Sequence, residues 1–182
     1  MSEYRKTYEG GLFFIILTVV GWIDVFTRKE YADILVESLE FCKKQKQLAI
    51  FAYVIMPSHI HLIVRRNEGL LSDWLRDLKS HTAKKIIKEI ENGGFESRKE
   101  WLLHMFKYYA KFQAQNSKYM FWQKSNHPTD LFTEKVIRQK IDYIHHNPVA
   151  ANVVTEESYY HYSSANPLSP FRVNARNFLY CF

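Results

Sequence analysis

Two histidines, His59 and His61, lie two positions apart in an apolar, β-branched stretch and are the side chains best placed for chemistry. Side chains of a β-strand alternate between its two faces, so both imidazoles should project from one face and Ile60 and Leu62 from the other. Two imidazoles held in this way can bind one metal ion. A Pro-Ser dipeptide just before them predicts a turn, which places the pair at the start of a strand. The alternative is that both are ordinary exposed histidines on a half-buried strand.

A second cluster, Tyr143 and Asn147, stands one helical turn apart further along the chain. The segment predicts a helix with Thr133 as its N-cap and with its end at Pro148. Three isoleucines at helical spacing should form its core stripe: Ile137, Ile141 and Ile144. At about 100° per residue, Tyr143, Asn147 and Lys140 lie together on the flank of that stripe. A phenol can act as a nucleophile, a neighbouring lysine favours its phenolate, and an amide oxygen can bind a metal. The alternative for a lone tyrosine at the edge of a core is simple packing.

The elements that must position these residues predict an α+β fold. Apolar runs indicate four strands: Leu12–Val20, Leu48–Met56, His59–Arg65 and a short one around Tyr119–Gln123. Helical spacing indicates a helix near Arg28–Lys44 and another over Leu71–Glu91 that Gly93 and Gly94 end. The order is βαββαβ followed by the Tyr143 helix. It predicts a ferredoxin-like antiparallel sheet with helices on one face, plus an inserted helix and a C-terminal helix with the candidate nucleophile.

The inserted helix is predicted from a capping box, Ser97 to Glu100, and should run to about Gln113. Aromatic and sulfur side chains at helical spacing should form its buried stripe: Trp101, Met105, Tyr108 and Phe112.

Composition is consistent with one globular domain over residues 1–182, with a core of about 8–150 and a tail of about 151–182. The net charge of +6 favours polyanionic partners. Cys42 and Cys181 stand far apart, which argues against a zinc ribbon or a disulfide framework and suits a reducing, cytoplasmic location. The apolar run Leu12–Ile23 is too short to span a membrane, so we expect a buried strand there and no membrane partner.

Several stretches together resemble the single-tyrosine transposases that carry a His-hydrophobic-His motif, and within them the REP-associated branch. These stretches are Tyr53–Val64, Trp122–Pro128, Asp142–Val149 and Tyr162–Ala165, with Gly10-Gly11 before Leu-Phe-Phe near the N-terminus. No single stretch is specific, but their combination and order are.

The resemblance implies a DNA transposase that cuts and rejoins single-stranded DNA. It assigns the nucleophile to Tyr143 and the ligands of a divalent metal, Mg²⁺ or Mn²⁺, to His59, His61 and Asn147. The tyrosine would form a 5′-phosphotyrosine with DNA that contains a hairpin. Some members of the family have glutamine at the position of Asn147, and His127 is a further polar candidate near the site.

Contacts to DNA are predicted more loosely, at basic residues and at the N-terminal glycine pair. The candidates are Gly10, Gly11, Arg65, Arg66, Lys79, Lys84 and Lys140. A solvated basic face is the alternative for the lysines. Two other functions stay open: a relative that binds DNA with weak or lost activity, and an RRM-like module that binds single strands without chemistry. A monomer and a homodimer are both compatible with the sequence.

Overall fold

The computed structural model describes residues 7–112, 117–126 and 128–174 and has a four-stranded antiparallel sheet at its centre. The strands are β1 (Leu12–Thr18), β2 (Leu48–Ile55), β3 (His59–Arg66) and β4 (Thr129–Asp130). The helices are α1 (Lys29–Gln45), α2 (Leu71–Asn92), α3 (Lys99–Ala110) and α4 (Glu134–Ala150). The strand order β2-β3-β1-β4 is that of a ferredoxin-like sheet, as the sequence predicts.

Alternation along the strands gives the sheet two buried faces. One face carries Ile60 and Leu62 and packs, with α1 and α2, into the larger apolar core. The other carries Phe14 and Ile63 and packs against α4 through Ile137 and Ile144. The C-terminal helix therefore covers the face that α1 and α2 leave open, and the predicted isoleucine stripe of α4 is what it buries.

The fourth strand lies later in the chain than predicted. The segment around Trp122 makes only an isolated bridge with Val19, and the amide of Gln123 donates to the carbonyl of Thr18 at 2.8 Å. The chain then leaves the sheet and returns as β4 opposite Phe13 and Phe14. Phe121 and Trp122 are buried as core residues.

The inserted helix α3 buries a different stripe from the predicted one. Leu102, Phe106 and Ala110 are buried, whereas Trp101, Tyr108 and Phe112 are exposed. The helix is apolar on several sides, so its sequence offers two stripes, and packing against α2 selects the one that begins at Leu102. The predicted capping box is also wrong. Arg98 precedes the helix without a side-chain cap, and the helix ends at Ala110, short of the predicted end. Gln113 lies outside the described residues.

Helix α4 begins as predicted but does not end at Pro148. The hydroxyl of Thr133 accepts a hydrogen bond from the amide of Val136 at 3.3 Å, which is an N-cap interaction. Pro148 lies inside the helix and is buried, and the chain stays helical to Ala150. A proline removes one amide donor, but the amide of Ala151 still donates to the carbonyl of Asn147 at 3.0 Å, which closes the last turn.

The segment after α4 returns to the sheet and lines the free side of β2. Ser163 forms a bridge with Val54, and the amide of Ile55 donates to the carbonyl of Tyr162 at 2.9 Å. Further on, the amide of Asn174 donates to the carbonyl of Ile50 at 2.7 Å. Among the described residues, no helix has the length and apolar character that crossing a membrane requires.

Candidate active site

The histidine pair lies on β3 on the face that α4 covers. In the antiparallel pairing of β1 with β3, His59 stands opposite Thr18 and His61 opposite Ile16. The turn before β3 is closed by the amide of Met56, which donates to the carbonyl of His59 at 2.8 Å. The two imidazole centroids are 4.8 Å apart, so the predicted projection of both rings from one face is observed.

His61 is the more buried of the two, with 2% of its surface exposed. Its ring stacks on Phe14 at 5.7 Å between centroids. Neither Nδ1 nor Nε2 of His61 has a hydrogen-bond partner within the described residues. Burial, with smaller contributions from His59 and Lys140, lowers the pKa of His61 to about 3. The imidazole is therefore neutral at neutral pH, which is the form that can donate a lone pair to a metal.

His59 lies nearer the surface and is held by two neighbours. The hydroxyl of Ser58 lies 3.2 Å from its Nδ1, at hydrogen-bond distance. The ring of Trp22 meets the imidazole edge-on at 5.3 Å between centroids. Burial lowers the pKa of His59 as well, so both histidines favour the neutral form. A hydrogen bond at Nδ1 leaves Nε2 of His59 as the nitrogen available for a ligand.

Tyr143 stands beside the histidine pair of its own chain. Its ring centroid is 5.3 Å from that of His61 and 6.0 Å from that of Phe14. The Lys140 ammonium lies 4.7 Å from the Phe14 ring centroid and 5.4 Å from that of Tyr143. The tyrosine is 45% exposed, so a substrate can reach its hydroxyl. The apolar stripe of α4 thus brings a phenol and an ammonium next to His61 on one face of the sheet.

A metal ion fits the chemistry of the histidine pair. Two orphaned nitrogens on a buried, neutral imidazole are unfavourable unless a ligand uses one of them. The described residues hold no group of three or more His, Cys, Asp or Glu side chains suited to a metal. A third protein ligand would therefore have to be of another type or lie outside those residues, where His127 is found.

Asn147 offers such a side chain. It lies one turn beyond Tyr143 on α4 and is partly buried. No hydrogen bond joins its side-chain amide to another described residue. The role of Asn147 as a ligand stays a prediction.

The basic residues predicted to contact DNA do not all gather at this site. Lys140 does. Arg65 and Arg66 end β3, about 20 Å along the strand from His59 at about 3.3 Å per residue. Arg66 lies there with Gly10, whose amide donates to the Arg66 carbonyl at 2.9 Å, and Gly11 follows just before β1. Together they form a separate group at the far end of the sheet.

The two lysines of α2 lie on the helix layer across the sheet from the histidines. Lys84 is exposed. The Lys79 ammonium is partly buried and donates to the carbonyls of Gln123 and Lys124 at 2.6 and 3.2 Å and to the amide oxygen of Asn126 at 3.2 Å. Burial lowers the pKa of Lys79 to about 8. Lys79 thus holds the chain that leads into β4, and contacts from either lysine to DNA stay a prediction.

His145 and His146 both have hydrogen-bonding partners in the structure. His145 Nε2 lies 2.8 Å from the Ser164 hydroxyl, and His146 Nδ1 lies 3.2 Å from a carboxylate oxygen of Glu157. Both contacts tie α4 to the segment after it.

Sequence reasoning missed two rings of the site, Phe14 and Trp22. Both depend on the register of β1 against β3, which pairs Thr18 with His59 and so brings the residues after β1 next to the histidines. The apolar run of β1 indicates a strand but carries no signal for that register.

The chain has the fold of a solved tyrosine transposase. It matches the solved structure of a REP-associated tyrosine transposase bound to a REP hairpin with a TM-score of 0.62 at 20% sequence identity, over 90% of this chain and 82% of that chain. The family model described as "Transposase IS200 like" matches residues 15–120. This range covers more than half of the sequence, and the chain belongs to the IS200-like transposase family.

A putative transposase from Deinococcus radiodurans is also similar, with 19% identity, a TM-score of 0.46 and coverage of 79% of this chain and 95% of that chain. No curated protein matches significantly. The range matched by the family model contains both histidines and ends before α4. The assignment of Tyr143 therefore depends on its position beside His61.

Proposed function

We propose that the chain is a single-strand DNA endonuclease and strand transferase with Tyr143 as its nucleophile. The observation that supports this most directly is the 5.3 Å separation of the rings of Tyr143 and His61, the latter with two orphaned nitrogens. A solvent-accessible phenol beside buried, neutral imidazoles is suited to attack on a phosphodiester.

In the proposed step, the Tyr143 Oη attacks phosphorus and the bond from phosphorus to the 3′ oxygen breaks. The tyrosine keeps the 5′ phosphate as a phosphotyrosine ester, and the other strand leaves with a free 3′-hydroxyl after it takes up a proton. The same hydroxyl can attack the ester in reverse, which rejoins strands without another energy source. The number of phosphoester bonds is conserved in both directions.

The protein's own groups supply charge and position. Lys140 places a positive charge 5.4 Å from the Tyr143 ring centroid, where it can attract a phosphate of the DNA. His59 and His61, with Asn147 as the proposed third ligand, would hold a divalent ion such as Mg²⁺ or Mn²⁺, which when bound neutralises phosphate charge. Phe14 packs beneath His61 and Tyr143 and fixes both rings against one another.

The proposed partner is DNA with a hairpin and an unpaired flank. The net charge of +6 suits a polyanion, and the fold is shared with a transposase solved with a REP hairpin. An RRM-like binding module is disfavoured because such a module binds single strands on an open sheet face. Here α4 packs on the face that α1 and α2 leave free.

The test is covalent capture of labelled DNA. Wild-type protein incubated with Mn²⁺ and hairpins carrying unpaired flanks should give a protein–DNA adduct on a denaturing gel, and peptide mapping should place the ester on Tyr143. Tyr143→Phe removes only the hydroxyl, so the adduct should disappear while DNA affinity is kept. Tyr159→Phe is the control, since Tyr159 is also exposed but lies in the segment after α4.

Three results would contradict the proposal in different ways. An ester mapped to another tyrosine would reassign the nucleophile. Cleavage by Tyr143→Phe with both fragments free of protein would indicate attack by water. Hairpin binding by the wild type without cleavage at any flank sequence would indicate a relative that has lost its activity.

A further inference from the structure

Trp22 is a large aromatic side chain that points into solvent at the edge of the histidine pair. It is 61% exposed, yet its ring centroid lies 5.3 Å from that of His59 at an interplanar angle of 73°. Most of the ring is therefore free while one edge contacts a site residue. Packing alone does not explain a tryptophan with most of its surface in water.

The backbone holds this ring outward by an unusual conformation. Gly21 and Trp22 both have positive φ, at 62° and 56°. Positive φ is uncommon for a bulky residue, so the surrounding structure must enforce it at Trp22. A side chain at Gly21 would come within 2.5 Å of the Tyr109 hydroxyl, which shows that this turn lies directly against α3. The amide of Trp22 also donates to the carbonyl of Val19 at 3.1 Å, which closes the turn onto the end of β1.

The surroundings of this turn suit a nucleic acid strand. Tyr109 belongs to the last turn of α3, where Lys107 and, just beyond the helix, Lys111 are both exposed. On the other side, His59 links the turn to His61 and so to Tyr143. A flat, exposed aromatic ring beside the candidate site for a phosphodiester matches the way proteins hold unpaired bases, by stacking them on an aromatic ring.

We propose that Trp22 stacks on an unpaired base next to the phosphate that Tyr143 attacks, and so positions the single strand at the site. This inference rests on the proposed function, because it takes the strand at the histidine pair to be the substrate. The turn at Gly21 and its contact with Tyr109 make the ring a fixed platform. Trp22 acts here as a positioning residue for the DNA.

The test measures DNA affinity and base dependence together. Fluorescence anisotropy in a chelating buffer, where cleavage is prevented, compares wild type, Trp22→Ala, Trp22→Phe and Trp101→Ala. The DNA is a labelled hairpin with an unpaired flank, as the intact strand and as a series with one abasic position each. Trp101 is the matched control: it is 47% exposed and lies eight residues before Tyr109 on α3, about 12 Å away along the helix.

We expect one abasic position in the flank to weaken wild-type binding by roughly 5- to 100-fold, the usual effect of losing one stacked base. Trp22→Ala should weaken binding of intact DNA by a similar factor, and the same abasic position should then cost nothing more. Trp22→Phe should keep most of the affinity, and Trp101→Ala should match the wild type.

Wild-type affinity in Trp22→Ala, or an equal effect of the abasic position in both proteins, would overturn the inference and leave Trp22 as a packing residue for His59. A general loss of folding is separated from this outcome by Trp22→Phe. Failure of the proposed function is distinguishable, because it appears as the absence of a Tyr143 adduct in wild type whatever the abasic series shows.

Discussion

The burial of His61 leads to a prediction that separates stability from function: His61→Leu should make the metal-free protein more stable. The imidazole is 2% exposed and has two nitrogens without partners in the described part of the chain. Leucine has a similar volume and needs no hydrogen bonds. A buried, unsatisfied polar atom costs about 1–3 kcal/mol, so the free energy of unfolding of His61→Leu should exceed that of the wild type by about this amount at pH 7.

The gain should increase in acid. The pKa of His61 falls from 6.5 to about 3 in the folded protein. Between these two values the unfolded chain binds a proton that the folded chain does not, so the free energy of unfolding falls as the pH decreases through this window. From pH 7 to pH 5 the loss that His61 causes is about 2 kcal/mol. His61→Leu removes this loss.

Urea unfolding of both proteins with a chelator, at pH 7 and pH 5, provides the measurement. His59→Leu is the control, because His59 is less buried and already has Ser58 at hydrogen-bond distance, so its replacement should bring a smaller gain. A His61→Leu protein that is less stable than wild type at both pH values, with the same pH dependence, would refute the reasoning. It would mean that the His61 nitrogens are satisfied in solution.

Two further predictions concern the third ligand and the inserted helix. Asn147→Ala should weaken Mn²⁺ binding by about 10–100-fold in a calorimetric titration. The control is Gln139→Ala, which changes an exposed residue of the same helix and should leave Mn²⁺ binding unchanged. If Asn147→Ala binds Mn²⁺ as tightly as the wild type, Asn147 is not the third ligand and His127 becomes the next candidate. Leu102→Ala should lower the free energy of unfolding by about 2–5 kcal/mol because Leu102 is fully buried, and Trp101→Ala should lower it by less than about 1 kcal/mol. If urea unfolding showed a larger loss for Trp101→Ala than for Leu102→Ala, the buried stripe of α3 would be the predicted one that begins at Trp101.

The sequence predicts the parts of the fold that have a strong local signal. β2, β3, α1, α2 and the start of α4 lie within a residue or two of their predicted bounds. The alternation of β3 was enough to put His59 and His61 on one face, and the spacing of α4 put Tyr143 on its exposed flank. Periodicity is a dependable guide where one face of an element is clearly more apolar than the other.

The errors arise where local patterns allow two outcomes. In α3 both candidate stripes are apolar, and the contact with α2 decides between them. At Pro148 the helix continues because the loss of one amide donor is tolerated next to the helix end. The pairing of β1 with its neighbours places Phe14 and Trp22 at the site and β4 at Thr129. This pairing depends on residues that are distant in the sequence, so a short stretch of sequence cannot predict it.

The return of the chain along β2 has a consequence for how copies of this protein can associate. An uncovered outer strand offers a row of free amides and carbonyls to which a second molecule can add its own strand. Here Tyr162, Ser163 and Asn174 already use positions along that row. Two copies therefore cannot join their sheets through β2 unless this segment is first displaced. Self-association through β2 would therefore require free energy to detach this segment from the sheet. It would also disturb the contact between Ser164 and His145 that ties the segment to α4.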